Sequence, residues 1–104
     1  MLFEFIAAYY AGKYLFSNCN NDPAVWQNVL LIKEQVNDEV IAELENSYHT
    51  LSGNEKSEIS KNMKLLRDNL KSVRKLVNDK KLRKEIDELM KNCERIESIC
   101  NRWF

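Results

Sequence analysis

The chain has 104 residues, of which 44% are hydrophobic and 31% are charged, and its 16 basic and 16 acidic side chains balance. This length and composition are typical of one folded domain and argue against a disordered or membrane-spanning chain. Two glycines and one proline exclude a glycine-rich phosphate loop and supply too few turns for an all-β fold. The sequence therefore predicts an all-α protein with a single domain, 1–104.

The first predicted helix, 2–16, is the most apolar and aromatic part of the chain. Its two charges, Glu4 and Lys13, lie too close together for the roughly 20 apolar residues of a membrane span. A helix that is apolar on nearly every face must be buried on nearly every face, and three partner helices cannot cover it completely. We therefore expect self-association as a homodimer or larger assembly, with aromatic residues at the interface. The residues expected there are Phe3, Ile6, Tyr9, Tyr10, Tyr14, Phe16 and Phe104.

The second predicted helix, 23–51, follows a polar loop that ends at Asp22. An aspartate before a proline is a strong helix start, because the carboxylate caps the helix and proline suits its first position. Gly53 is expected to end the helix in the left-handed conformation, with Ser52 or Asn54 capping the next one. Apolar residues recur every three or four positions, which is a helical period: Val25, Val29, Ile32, Val36, Val40, Leu44, Tyr48 and Leu51.

The third and fourth predicted helices, 55–77 and 80–103, carry strict heptad repeats, which favour coiled-coil-like packing. The repeats are Ile59, Met63, Leu66, Leu70, Val73 and Val77, then Leu82, Ile86, Leu89, Cys93, Ile96, Cys100 and Trp103. Between the two repeats the apolar phase shifts. Either Asn78 and Asp79 form a turn, which we prefer, or one long helix continues. Short loops make sequential helices antiparallel, so the sequence predicts an antiparallel bundle of four helices.

Charge is divided unevenly between the two halves of the chain. Residues 1–51 hold 7 acidic and 2 basic side chains, whereas 52–104 hold 9 acidic and 14 basic ones. A line of cations lies beside the third apolar repeat: Lys61, Lys64, Arg67, Lys71, Arg74, Lys75 and Lys81. It could pair with the acidic flank of the second helix (Glu34, Asp38, Glu43 and Glu45), bind an acidic protein, or bind nucleic acid.

The sequence offers no evident catalytic, metal or cofactor site. His49, the one histidine, is expected to suit the helix dipole at a C-terminus rather than to ligate a metal with Glu45. Cys93 and Cys100 lie seven residues apart, about 10.5 Å along a helix, too far for a disulfide. With Cys19 they form an odd set, which indicates reduced thiols and a cytoplasmic protein. We expect no cofactor and no enzymatic activity.

These features predict a non-enzymatic protein–protein interaction module: an adaptor, an inhibitor or a chaperone-like accessory protein acting as a homo-oligomer. One alternative is a nucleic-acid-binding protein that uses the basic face of residues 61–84. A second alternative is peripheral membrane association through the N-terminal helix, which lacks the basic polar face typical of such helices. The sequence resembles no family that would decide among them.

Overall fold

Residues 22–102 are described by a computed structural model of the protein, and 84% of them are helical, with no strand in that range. The helices are α1 (Asp22–Lys33), α2 (Asp38–Ser47), α3 (Gly53–Arg74) and α4 (Lys80–Cys100), and one turn of 3₁₀-helix covers Tyr48–Thr50. The predicted all-α class is confirmed for these residues. The predicted helix 2–16 lies outside them, and so does Trp103.

The second predicted helix is wrong as a continuous helix over 23–51, because the chain leaves the helix after Lys33 and resumes it at Asp38. Asn37 caps both ends of this break. Its side-chain oxygen accepts from the Val40 N–H at 3.0 Å, and its side-chain nitrogen donates to the carbonyls of Lys33 and Glu34 at 3.0 and 3.1 Å. Acidic residues in the first turn of α2 further suit a helix N-terminus.

The break changes which residues of the second segment face the core. Val36 is buried within the break itself, and Ile41 then takes the core position that the regular period assigned to Val40, which is only partly buried. The segment closes with the 3₁₀ turn, after which Leu51 is buried. The buried residues Val36 and Ile41 are therefore five positions apart, one more than the regular helical spacing, and this extra residue separates the buried side of α1 from that of α2.

Helix α3 begins with a reciprocal capping box. The Ser52 hydroxyl accepts from the Glu55 N–H at 3.1 Å, and the Glu55 carboxylate accepts from the Ser52 N–H at 3.2 Å. The expectation of a left-handed Gly53 is wrong, because Gly53 is the first residue of α3 and has no positive φ. A cap formed by Ser52 makes that conformation unnecessary.

The preferred turn between the third and fourth helices is present. Helix α3 ends at Arg74, three residues before the predicted end, and α4 starts at Lys80 as predicted. The Asp79 carboxylate accepts from the N–H groups of Lys81 and Leu82 at 2.8 and 3.2 Å, so Asp79 is the N-cap. Val77 is buried beneath this turn.

All four helices contribute to one hydrophobic core, and no polar side chain is buried among residues 22–102. Every heptad residue predicted for α3 and α4 within that range is buried. The side-chain pairs Ser60–Asn101, Arg67–Glu97 and Arg74–Asp87 show that α3 and α4 run antiparallel. These two helices form the central hairpin.

Helices α1 and α2 run along α4 in the parallel direction, and their backbones approach α4 more closely than α3. Four polar contacts follow this register along the chain: Asp22 with the N–H of Asp79, Lys33 with Glu85, Asp38 with Arg95, and Glu45 with Arg102. The described chain therefore runs up through α1 and α2, down through α3 and up through α4.

Candidate interaction surface

The two arginines of the predicted basic face are held by α4. The Arg67 guanidinium donates to Glu97 at 2.6 Å, and Arg74 donates to both carboxylate oxygens of Asp87, at 2.6 and 3.3 Å. The alternative in which the basic line pairs with the acidic flank of the second helix is wrong for these two residues. Because α4 lies beside α3 along its length, its carboxylates reach these arginines first.

The lysines of the basic face remain exposed: Lys61, Lys64, Lys71, Lys75 and Lys81. Among residues 22–102, none of these five side chains forms an ion pair or a hydrogen bond. Lys61 to Lys75 span about 21 Å at the 1.5 Å rise of a helix. The part of the predicted basic face that carries no ion pair is therefore a row of lysines, without Arg67 and Arg74.

Two residues of the acidic flank of the second segment pair instead with arginines of α4 and of the residues that follow it. Asp38 accepts from Arg95 at 2.8 Å, and both Glu45 carboxylate oxygens accept from Arg102, at 2.6 and 3.0 Å. The hydrogen bond from Arg102 lowers the pKa of Glu45. Between these two pairs lies an open groove of about 480 Å³ over Ile41 and Ile99. Its charges neutralise one another across the groove.

The thiols and the histidine are not arranged for chemistry within the described residues. Burial raises the pKa of Cys93 to about 12 and that of Cys100 to about 11, so both stay protonated at neutral pH. His49 is exposed, with its ring edge-on to Tyr48 at 6.0 Å between centroids. In residues 22–102 no three His, Cys, Asp or Glu side chains are grouped to hold a metal. Cys19 lies outside this range.

Exposed leucines are the feature that the sequence interpretation missed. Leu30, Leu31, Leu65 and Leu76 are 54%, 60%, 52% and 62% exposed. Scattered exposed apolar residues are ordinary, whereas exposed apolar residues that share one side of a domain mark a binding surface. A signal for the first two was available, because α1 carries no charge between Asp22 and Lys33 although half of its circumference faces away from the core.

The outward side of α1 is therefore uncharged and largely apolar, with the exposed polar Gln27 between Leu30 and Leu31. Val25, Val29 and Ile32 already fill its inward side, while Leu30 and Leu31 lie outside the core and Trp26 is partly buried at its edge. A helix that is apolar on both sides needs cover on both sides. This outward side is the strongest candidate for an interaction surface among the described residues.

The residues predicted for self-association all lie outside the described range: Phe3, Ile6, Tyr9, Tyr10, Tyr14, Phe16 and Phe104. Their assignment stays a prediction.

Comparison with known proteins assigns no relative to this chain. Within residues 22–102 no helix combines the length and apolar character needed to cross a membrane. No protein-family model, curated protein or solved structure matches the sequence or the fold.

Proposed function

We propose that this chain is a non-enzymatic helical interaction protein, of the adaptor, inhibitor or chaperone-like accessory kind, that works as an assembly of identical copies. The observation that carries the proposal is the apolar outward side of α1, where Leu30 and Leu31 are more than half exposed beside Trp26. The raised pKa values of Cys93 and Cys100 support the non-enzymatic part, because a protonated thiol is a poor nucleophile.

Burial of Leu30 against a second copy contributes to the driving force for assembly. A leucine side chain that passes from full exposure to full burial contributes about 1.5–3 kcal/mol. Helix α1 cannot obtain that contribution by turning, because Val25, Val29 and Ile32 would then leave the core. The outward side gains it only when other apolar residues cover it.

The N-terminal part of the chain fits this proposal. In our interpretation residues 2–16 form a short aromatic helix that completes an antiparallel four-helix bundle with coiled-coil-like packing, in which α1 and α2 together count as one broken helix. Its tyrosines and phenylalanines then lie at the subunit interface of a homodimer. The two buried, unpaired cysteines support a reducing, cytoplasmic location.

Sedimentation velocity of the full chain tests the proposal. We expect a dimer or larger species, and we expect Leu30→Glu to weaken association at least about tenfold, since burying a carboxylate at the interface costs more than 1.4 kcal/mol. Ser57→Glu adds the same charge at an exposed position of α3 and should leave the mass unchanged. Circular dichroism confirms that each variant keeps its helices.

Two results would contradict the proposal. The first is a wild-type chain that stays monomeric throughout the micromolar range. The second is an assembly whose mass responds equally to Leu30→Glu and Ser57→Glu, because the added charge alone would then explain the effect.

The row of unpaired lysines favours a second candidate function, which is nucleic-acid binding. Lys61, Lys64, Lys71 and Lys75 could neutralise about four phosphates, which predicts a slope of roughly −3.6 in log affinity against log salt for duplex DNA. Fluorescence anisotropy with labelled duplex and single strands measures this slope. The double variant Lys64→Gln/Lys71→Gln should reduce its magnitude by about 1.8. Undetectable binding at low salt removes this candidate.

A further inference from the structure

Three of the exposed leucines share one side of the helical bundle. Helix α1 turns Lys33 towards Glu85 of α4, and Leu31, two residues earlier, lies about 160° around the helix from Lys33. Helix α3 turns Arg67 towards Glu97 of α4, and Leu65 lies about 160° from Arg67 by the same rule. Leu31 and Leu65 therefore both point away from α4.

Leu76 extends this side towards one end of the molecule. Its N–H donates to the Val73 carbonyl at 2.9 Å, so the chain still follows a helical curl after α3 ends. Leu76 lies eleven residues after Leu65, close to three full turns, and thus on the same side. We call the surface bordered by Leu31, Leu65 and Leu76 the α1–α3 face. Helix α1 approaches α4 more closely than it approaches α3.

The chain enters the described fold beside this face. Asp22, at the start of α1, accepts a hydrogen bond from the Asp79 N–H at 3.0 Å, which fixes this end of α1 to the turn that contains Leu76. Residues 17–21 can span up to about 17 Å when extended. A helix over 2–16 is about 22 Å long, and Leu65 lies about 17 Å from Leu76 along α3. A helix over 2–16 that ends beside Asp22 and runs antiparallel to α1 therefore reaches Leu65.

The α1–α3 face and residues 2–16 are similar in chemistry, because both are rich in uncharged side chains. The α1–α3 face presents leucines, and the amide side chains of Asn62 and Asn69 lie on the same side of α3 as Leu65 by helical rotation. Lys64, Lys71 and Lys75 lie about 80–120° around α3 from Leu65, whereas the exposed charges Glu58 and Lys61 border the face at its far end, beyond Leu65. Residues 2–16 carry just two charges, Glu4 and Lys13. An apolar segment tethered to one end of an apolar face has a high effective concentration there.

We propose that residues 2–16 dock onto the α1–α3 face of their own chain. This inference rests on the proposed function, in which the same residues form a helix, and it identifies the surface that this helix covers. The side of the segment that faces away from α1 and α3 is left for the second copy, next to Leu30.

Hydrogen–deuterium exchange of the full chain, followed by mass spectrometry of peptides, tests the proposal. We expect the amides of 2–16 to exchange slowly, at a rate that does not change when the protein is diluted below the dissociation constant of its assembly. The double variant Leu31→Glu/Leu65→Glu should accelerate their exchange at least tenfold. Leu30→Glu makes the same substitution on the other flank of α1 and should leave their exchange slow in the diluted monomer.

The outcomes separate the docking from the proposed function. Protection of 2–16 that disappears on dilution shows that the segment docks on a second copy, which overturns this inference and supports the assembly. Fast exchange of 2–16 in a sample that sediments as a dimer also overturns the inference alone. Slow exchange of α3 and α4 in the same spectra verifies that each variant is folded, and Leu65→Asn provides a milder variant if the double one is not.

Discussion

Glu97 shows how a single position is balanced between burial and charge. Its side chain is 14% exposed and accepts from Arg67 at 2.6 Å. Burial raises the pKa of Glu97, while Arg67 opposes that shift and the neighbouring Glu94 and Asp68 add to it. The ion pair with Arg67 thus offsets part of the free-energy cost of burying the Glu97 carboxylate at the edge of the core.

Replacing Arg67 with leucine should make stability depend more strongly on pH. The pKa of Glu97 would then rise further. A carboxyl group whose pKa is higher in the folded chain than in the unfolded chain contributes stability at pH values below its unfolded pKa, and that stability is lost as pH rises through its folded pKa. We expect Arg67→Leu to cost little at pH 4 and about 1–2 kcal/mol at pH 7. Urea unfolding at both values measures this. Arg67→Lys should be milder, and an equal loss at both pH values would contradict the argument.

The buried thiols make a second prediction at this scale. With pKa values of about 12 and 11, Cys93 and Cys100 should resist alkylation by iodoacetamide at pH 8 in the folded chain and react fully in urea. A Cys19→Ser background removes the third thiol. Stability should also fall as pH rises above 9.0, the ordinary thiol pKa, because the unfolded thiols ionise first. Rapid labelling of the native protein at pH 8 would disprove this description.

At the scale of helices, cap residues decide where each element begins. Ser52, Asp79 and Asn37 each accept a hydrogen bond from a backbone N–H at the start of a helix. The first two were predictable because the apolar repeat also stops or shifts beside them. The cap at Asn37 was missed because Val36 continues the regular spacing of apolar residues across the break, so the apolar period gave no sign that a helix ends there. The acidic pair Asp38–Glu39 after an asparagine was the available signal.

The break between α1 and α2 should depend on Asn37. Asn37→Ala removes one N-cap hydrogen bond and two bonds to the carbonyls that end α1. We expect a loss of about 1 kcal/mol in urea unfolding, within the range of roughly 0.5–2 for N-cap replacements. Asn46→Ala, at an exposed position of α2, is the matched control and should change stability little. Equal stability of both variants, with unchanged helicity in the first, would mean that the break is not held by its cap.

At the scale of the whole molecule, one core unites four helices that differ in how closely they approach one another. Helices α3 and α4 form an antiparallel hairpin, and α1 and α2 lie along α4. The buried residues of all four nevertheless form a single cluster. A single core predicts that the described helices unfold together.

Leu44, buried in α2, provides the test of this cooperativity. Leu44→Ala should cost about 2–5 kcal/mol, the range for buried leucines. Far-ultraviolet circular dichroism and Trp26 fluorescence should give one coincident urea transition, if the contribution of Trp103 is removed by Trp103→Phe. Leu30→Ala makes the same change at a site that is exposed in the single chain, and should cost much less when both variants are measured at a concentration where the chain is monomeric. Separate transitions for the two probes would show that α1 unfolds independently of the hairpin.

By itself the sequence determined the helical class, the buried faces of α3 and α4 and the turn between them, because periodicity and capping chemistry are local properties. Tertiary structure alone decided that α4, and not the second segment, neutralises Arg67 and Arg74, and that Ile41 replaces Val40 in the core. Periodicity states which side of a helix is buried, whereas the identity of the neighbour on each flank depends on how the helices are arranged in space. The exposure of Leu31 and Leu65 has the same origin.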